Sequence, residues 1–278
     1  MAHDTITAPG ASLAARAALR WAGIAWFAVA AAGQLAFVYF ILAFYGSRTL
    51  SGTYAAWNDK PLINGYVAGD HTGNIVFAAH VLLAALVTLG GLMQLVPTIR
   101  RAAPGLHRWT GRIFLSVAIF MALSGVWLTV ARGAYLSVIS AVAILINGLL
   151  ILVFAGLAWR HAIKRRFDQH RAWAMRTFMV VSGVWFLRVG LMGWVVVSGG
   201  GVGMNKTMSG PADVVLVFGS YLIPLAFVEL YLRAQRGGST LQVAAALLIV
   251  AASAYTAVGM FGTIAFMWGP YLWPTPPS

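Results

Sequence analysis

Long apolar runs separated by short polar segments dominate this chain. Seven of these runs are long enough to cross about 30 Å of hydrocarbon as helices. They are Trp21–Tyr45, Ile75–Val96, Trp109–Val130, Leu136–Trp159, Ala172–Val197, Val214–Leu232 and Leu241–Met267. The pattern predicts an all-α, polytopic membrane protein, a bundle of seven transmembrane helices over residues 21–267, with tails at 1–20 and 268–278.

Composition supports a bilayer as the surrounding solvent. Of the 278 residues, 60% are hydrophobic and only 9% are charged, which is more apolar surface than a soluble domain of this length needs to bury. The chain has no cysteine. This absence excludes disulfides, iron–sulfur clusters and covalently attached haem.

The distribution of positive charge predicts the topology. The net charge is +13, but the basic residues flank the apolar runs, which argues against a nucleic-acid partner. Fourteen of the 19 Lys and Arg residues lie on one side of the membrane if the spans alternate, four lie on the other, and Arg188 falls within a span. By the positive-inside rule we expect a multi-pass protein of a bacterial inner membrane, N-in and C-out, whose inner face attracts anionic lipids.

Two stretches place a His-Arg pair at the cytoplasmic start of a span. They read PGLHRWTGR, with His107, and FDQHRAWAMR, with His170. Because both spans enter the membrane in the same direction, the two imidazoles lie at the same depth, as axial ligation of one b-type haem iron requires. The nearby arginines, which would pair with haem propionates, are Arg108, Arg112, Arg171 and Arg176. We therefore expect one b-type haem, or a quinone, at the inner leaflet.

Two small details fit this prediction. Gly111, one helical turn after His107, leaves room beside the imidazole for a macrocycle or a neighbouring backbone. Asp168 is placed to cap its helix or to orient His170. The alternative interpretation of both stretches is topological, with charge and tryptophan anchoring the spans at the interface.

Three ionisable residues lie within the predicted spans: His80, Arg188 and Glu229. Such groups are costly in hydrocarbon and are functional candidates. Arg188 and His80 would line an outer pocket of a transporter or sensor for a small anionic or lipid-like ligand, and Glu229 would respond to protons. The structural alternatives are a carbonyl partner for His80, outward snorkelling for Arg188 and an ion pair with Arg233 for Glu229. A third hypothesis is a non-catalytic accessory or assembly subunit that binds a membrane-protein partner.

The order of these motifs resembles a known family. The segments HVLLAALVTLGGLMQLVPTIRRAAPGLHRWTGRIF, DQHRAWAMRTFMVVSGVWFLR and LIPLAFVELYL are similar to a family of predicted bacterial inner-membrane proteins labelled as a domain of unknown function, over roughly residues 75–235. The resemblance implies a polytopic membrane protein and brings no established activity. The positions its pattern touches are His80, Gln94, Pro97, His107, Arg108, His170, Arg171, Trp173, Arg176, Arg188 and Glu229.

A weaker likeness is to two-haem transmembrane b-type cytochromes. Those bundles carry two histidines in each leaflet, whereas the outer half of this bundle has only His80 within a span. His80 is too far along the chain direction from His107 to join it, since 27 residues of helix rise about 40 Å. The sequence thus predicts at most one haem, and it identifies no catalytic residue.

Overall fold

Helices make up all the regular secondary structure in the part of the chain that the structure, a computed structural model, describes: residues 12–60 and 63–273. The α-helices are α1 Leu13–Phe40, α2 Ser47–Leu50, α3 His71–Leu95, α4 Pro97–Ala102, α5 Pro104–Val130, α6 Val138–Ile163, α7 Phe167–Val181, α8 Gly183–Ser198, α9 Pro211–Ala234, α10 Ser239–Gly262 and α11 Gly269–Leu272. A π-helical turn, Ile41–Gly46, joins α1 to α2, and another, Thr263–Trp268, joins α10 to α11. A 3₁₀ helix covers Tyr54–Asp59.

The predicted all-α membrane protein is confirmed. Within the described residues, six continuous helical segments are long and apolar enough to cross a membrane: Leu13–Leu50, α3, α5, α6, α9 and Ser239–Leu272. The fifth predicted span, Ala172–Val197, is not continuous, because α7 and α8 meet at Ser182 with a bend of 53°. Counted as one span, this bent pair makes seven. The N-in, C-out orientation stays a prediction.

Local capping sets where the spans begin and end. The Asp70 carboxylate accepts the backbone N–H of Gly73 at 2.8 Å and begins α3. Ser137 begins α6 by accepting the N–H of Ser140. At the other end of the bent pair, Gly199 has φ +69°, a left-handed conformation that favours glycine and ends α8. The first helix begins at Leu13, so residues 13–20, which the hydropathy pattern assigns to the tail, are helical.

The spans form a closed ring around a shared core. In order of contact the ring runs α1, α3, α5, α6, the bent pair α7–α8, α10 and back to α1, and α9 packs against α7 and α8. Because of the bend, α7 lies along α6 while α8 lies along α10. Small residues allow these approaches. At Gly259 of α10, for example, a Cβ would collide with the carbonyl oxygen of Val189 in α8.

Candidate functional site

The structure brings His107 and His170 to the same end of the bundle, which we call the arginine-rich end: the end at which α3 and α6 finish and α5 and α7 begin. His107 lies within electrostatic range of His170. The Nδ1 of His170 lies 2.9 Å from the carbonyl oxygen of Ala158. Since a carbonyl only accepts, Nδ1 is the donor in this bond, and in the neutral imidazole Nε2 is then the nitrogen with the lone pair. The Nδ1 of His107 is buried without a partner. Ligation of haem iron by these two residues stays a prediction.

The arginines of the two His-Arg stretches have different surroundings. Arg176 makes a two-pronged ion pair with Glu229 of α9: Nη2 donates to Oε2 at 3.0 Å and Nε donates to Oε1. Its guanidinium also lies 4.5 Å from the ring centre of Trp173. Arg112 stacks on Trp109 at 5.0 Å, and Arg171 donates to the side chain of Gln235 at 3.2 Å. Arg108 is exposed. Arg176 is therefore already occupied by a carboxylate.

Two sequence expectations at this end, about Glu229 and about Gly111, need correction. Glu229 bonds Arg176 on a neighbouring helix, and not Arg233 one turn further along its own. The space beside Gly111 is filled by the side-chain oxygen of Gln94, which would lie 2.9 Å from a Cβ at that position. Gln94 reaches this position because α3 and α5 are packed neighbours, and its amide donates to Thr110 at 2.7 Å.

Asp168 does not orient His170. Its side chain is exposed, and α7 has no side-chain cap. The Ala158 carbonyl, at the end of α6, takes the role that we expected of the carboxylate. Among the described residues no three His, Cys, Asp or Glu side chains cluster as a metal site.

Arg188 lies towards the opposite end of the bundle, where α8 finishes and Lys60 approaches Phe40 near the end of α1. Its guanidinium carbon is 5.3 Å from the ring centre of Phe37, and Nη1 donates to the carbonyl of Val184 at 2.8 Å. Its Nε is buried without a hydrogen-bond partner. Arg188 is half-buried, so one part of the guanidinium is accessible and another part is not satisfied.

A second cation, Lys60, approaches Arg188 from the segment that connects α2 to α3. Its ammonium is 6.0 Å from the ring centre of Phe40. Burial and the positive charge of Arg188 lower the pKa of Lys60 to about 7. The phenol of Tyr45 is also within electrostatic range of Arg188. Sequence reasoning missed Lys60 and Tyr45, because a loop lysine and an interfacial tyrosine carry no pattern of their own.

No carboxylate pairs with Arg188 or Lys60 in the residues that the structure describes. Asp59 pairs with Arg48 at 3.3 Å, and Asp70 pairs with Arg132 at 3.0 Å. Asp213, the remaining acidic side chain at this end within those residues, accepts backbone N–H groups at the start of α9. The acidic side chains nearby are thus in use, and the two cations share a site with no internal counter-charge.

Aromatic side chains form the wall of this cation site. Phe40 stacks on Phe44 at 5.5 Å and on Trp268 at 5.2 Å, and Phe37 stacks on Trp268 at 5.6 Å. These residues belong to one buried apolar cluster where α1 meets the end of α10. Their side chains are almost completely buried, so the cluster packs the fold behind the two cations.

His80 belongs to a different contact. Its Nδ1 lies 2.8 Å from the Ser124 hydroxyl of α5, and its ring packs near Gly125. His80 thus joins α3 to α5, whereas Arg188 lies beside α1. These contacts do not form the shared pocket that we expected for His80 and Arg188. The structural alternative for His80 was a carbonyl partner on a neighbouring helix. The partner in the structure is the hydroxyl of Ser124.

Comparison with known proteins identifies a family but no characterised relative. A family model described as "Predicted membrane protein (DUF2306)" matches residues 77–232. No curated protein and no solved structure matches the chain. The matched region contains both His-Arg stretches, Arg188 and Glu229, and covers more than half of the sequence. This chain therefore belongs to the DUF2306 family of predicted membrane proteins.

Proposed function

We propose that this membrane protein binds an anionic, lipid-like molecule as a carrier or sensor, with the head group at Arg188 and Lys60. The observation that carries the proposal is the buried Nε of Arg188, which has no hydrogen-bond partner and no carboxylate nearby. An unpaired charge away from water is destabilising. Removal of one partner of a buried ion pair, for example, costs roughly 3–5 kcal/mol, because it leaves the other charge uncompensated. A bound anion would offset that cost.

The surroundings of Arg188 favour an amphipathic ligand over a free inorganic ion. Val184, whose carbonyl bonds the guanidinium, lies on an outward face and is 44% exposed. An anionic head group entering from the bilayer side would meet the guanidinium there, while its chain stays in hydrocarbon.

Binding of a charged amphiphile tests the proposal directly. The protein in nanodiscs of zwitterionic lipid is titrated with radiolabelled dodecanesulfonate, which is charged at every working pH, and with dodecanol as the uncharged counterpart. We expect saturable binding of the sulfonate only. Arg188→Gln should weaken binding about tenfold or more, since hydrogen bonds to charged groups contribute roughly 1.5–3 kcal/mol. Lys206→Gln, which removes an exposed cation at the same end, should bind normally. Equal binding by wild type and Arg188→Gln would exclude the site.

A redox function with one b-type haem or a quinone at the arginine-rich end is the second candidate. The hydrogen bond from His170 Nδ1 to Ala158 favours it, because metal-bound histidines commonly donate their other ring nitrogen in this way. Haem, when bound, would supply electron transfer, and His107 and His170 would hold it. The filled space at Gly111 and the occupied Arg176 fit a macrocycle poorly.

The visible spectrum of the purified protein tests the haem candidate. A Soret band that sharpens on reduction with dithionite, and that His107→Ala and His170→Ala each alter, is the expected result for a haem site. A colourless protein from cells supplied with haem would exclude it. The anion site does not depend on either outcome.

A further inference from the structure

The fifth predicted span is broken in the middle of the bundle. Helix α7 ends at Val181 and α8 begins at Gly183, with the axes bent by 53°. The hydroxyl-bearing residue between them, Ser182, caps α7 by donating its N–H to the carbonyl of Phe178 at 3.0 Å. At the start of α8 the N–H groups of Trp185 and Phe186 both donate to the carbonyl of Ser182 at 3.0 Å, which satisfies part of the first turn of this helix. Irregular backbone at membrane depth is tolerated where it is buried in protein or lines a polar cavity.

Polar side chains from three other spans surround this break. Gln34 of α1 donates its amide to the Ser182 hydroxyl at 3.0 Å. On another side, the amide nitrogen of Asn147 in α6 is 3.0 Å, and the Cβ of Tyr221 in α9 is 3.5 Å, from the position that a Cβ on Gly183 would occupy. A glycine at this position thus lets both side chains approach the start of α8.

Four polar atoms around the break are buried without a hydrogen-bond partner. They are Gln34 Oε1, Asn147 Oδ1, Trp185 Nε1 and Tyr221 OH. The side chains of Gln34, Trp185 and Tyr221 are each only 1% exposed. Buried polar groups in proteins are nearly always paired with protein or with an ordered molecule, so these side chains, all of which reach the break, leave hydrogen-bonding capacity that a ligand would satisfy.

The chemistry of these groups defines the class of that ligand. They include acceptors, the two amide oxygens, and donors, the indole N–H and the phenol. No carboxylate, histidine, lysine or arginine is among them. Neutral donors and acceptors in a low-dielectric core favour an uncharged partner, since a bare ion would lose its hydration without a counter-charge.

We propose that the break at Ser182–Gly183 is a binding site for water and small uncharged, hydrogen-bonding solutes in the centre of the bundle. The anion site lies on the same half-span: Arg188 follows Ser182 by six residues, about 9 Å of helix rise, and its guanidinium reaches back to the Val184 carbonyl. The two sites have different chemistry, so loss of one leaves the other in place.

Cysteine reactivity tests the proposal, because the natural chain has no cysteine. Ser182→Cys and Asn147→Cys place single thiols at the break. Leu149→Cys, two residues from Asn147 on an outward face that is 61% exposed, places a thiol at a similar depth in lipid. Only the thiolate reacts, and apolar surroundings suppress the thiolate. Each variant is reconstituted in liposomes and treated with methyl methanethiosulfonate, a small neutral reagent, or with its negatively charged ethylsulfonate analogue.

We expect the thiols at 182 and 147 to react with the neutral reagent at least tenfold faster than the thiol at 149, and to react slowly with the charged one. Equal rates at 147, 182 and 149 would mean that the break is dry and would overturn the proposal. Equally fast reaction with the charged reagent would overturn the restriction to uncharged solutes. Ser182→Cys is nearly isosteric, so it keeps the test valid if Asn147→Cys does not fold.

Discussion

At the scale of single residues, buried cations in this bundle fall into two groups. Arg176 and Arg132 each pair with a carboxylate on another segment, Glu229 and Asp70 respectively. Arg188 has no such partner in the described part of the chain, although its Nε is buried. A buried charged group without a partner lowers stability, and the anion that we propose would supply the partner that the Nε of Arg188 lacks.

The protonation of Lys60 should make anion binding depend on pH. Its pKa is lowered to about 7, so the free protein carries this charge below about pH 7 and loses it above. A bound anion favours the charged form. We expect the affinity for dodecanesulfonate to fall about tenfold as pH rises from about 6 to about 9, by the hydrogen-bond and charge contribution of one cation. Titration of the nanodisc-embedded protein across this range measures the effect.

Lys60→Arg is the matched control for this pH dependence. A guanidinium stays protonated throughout the range, so the variant should bind at high pH as wild type does at low pH. Lys60→Met should bind weakly at every pH. The other groups near Lys60 are Arg188, Tyr45, and the Arg48–Asp59 pair. If Lys60→Met keeps the wild-type pH dependence, another of these groups is responsible.

At the scale of elements, contacts between spans depend on where small residues lie. Gly259 sits directly against the Val189 carbonyl, so α10 and α8 touch through backbone. Gly156 of α6 has nothing within 4 Å of a Cβ position. The same residue type thus has a packing role in one helix and none in the other. The contact between Gly259 and Val189 also holds α8, the half-span that carries Arg188, against α10.

Alanine substitution should separate these two glycines. Gly259→Ala forces a methyl group into a backbone carbonyl and should destabilise the protein by roughly 1–3 kcal/mol, the usual cost of overpacking. Gly156→Ala meets open space and should stabilise it by roughly 0.5–1 kcal/mol through helix propensity. Thermal unfolding in detergent, followed by circular dichroism, gives both shifts. Equal shifts for the two variants would contradict the α8–α10 contact.

At the scale of the whole molecule, the bilayer explains which features the sequence predicts. About twenty apolar residues in hydrocarbon must satisfy their backbone internally, so each run becomes a helix. Matched depth followed from alternation of the spans, and in the structure His107, His170 and Glu229 lie at the arginine-rich end. The partner of Glu229 did not follow from the sequence, since it depends on which helices are neighbours.

Features that depend on tertiary neighbours were not predictable. The break at Ser182–Gly183 had no separate signal, because serine and glycine also occur in unbroken spans as packing residues. Gln34 and Asn147 lie in the middle of apolar runs. As polar residues within spans they are functional candidates in the same way as the ionisable residues. The approach of Lys60 to Arg188 depends on the path of a long loop, which no local pattern encodes.

Cysteine labelling in two loops at opposite ends of the bundle tests the predicted N-in, C-out orientation directly. If the arginine-rich end faces the cytoplasm, as the positive-inside rule predicts, Lys206 between α8 and α9 faces outward and Arg236 between α9 and α10 faces inward. Both side chains are exposed, and each variant, Lys206→Cys or Arg236→Cys, removes one positive charge, so the two are matched. In intact spheroplasts a membrane-impermeant maleimide should label the cysteine at 206 and spare the one at 236 until the cells are lysed. The reverse pattern would place Arg188 and Lys60 towards the cytoplasm, and their anionic ligand would then come from the inner leaflet.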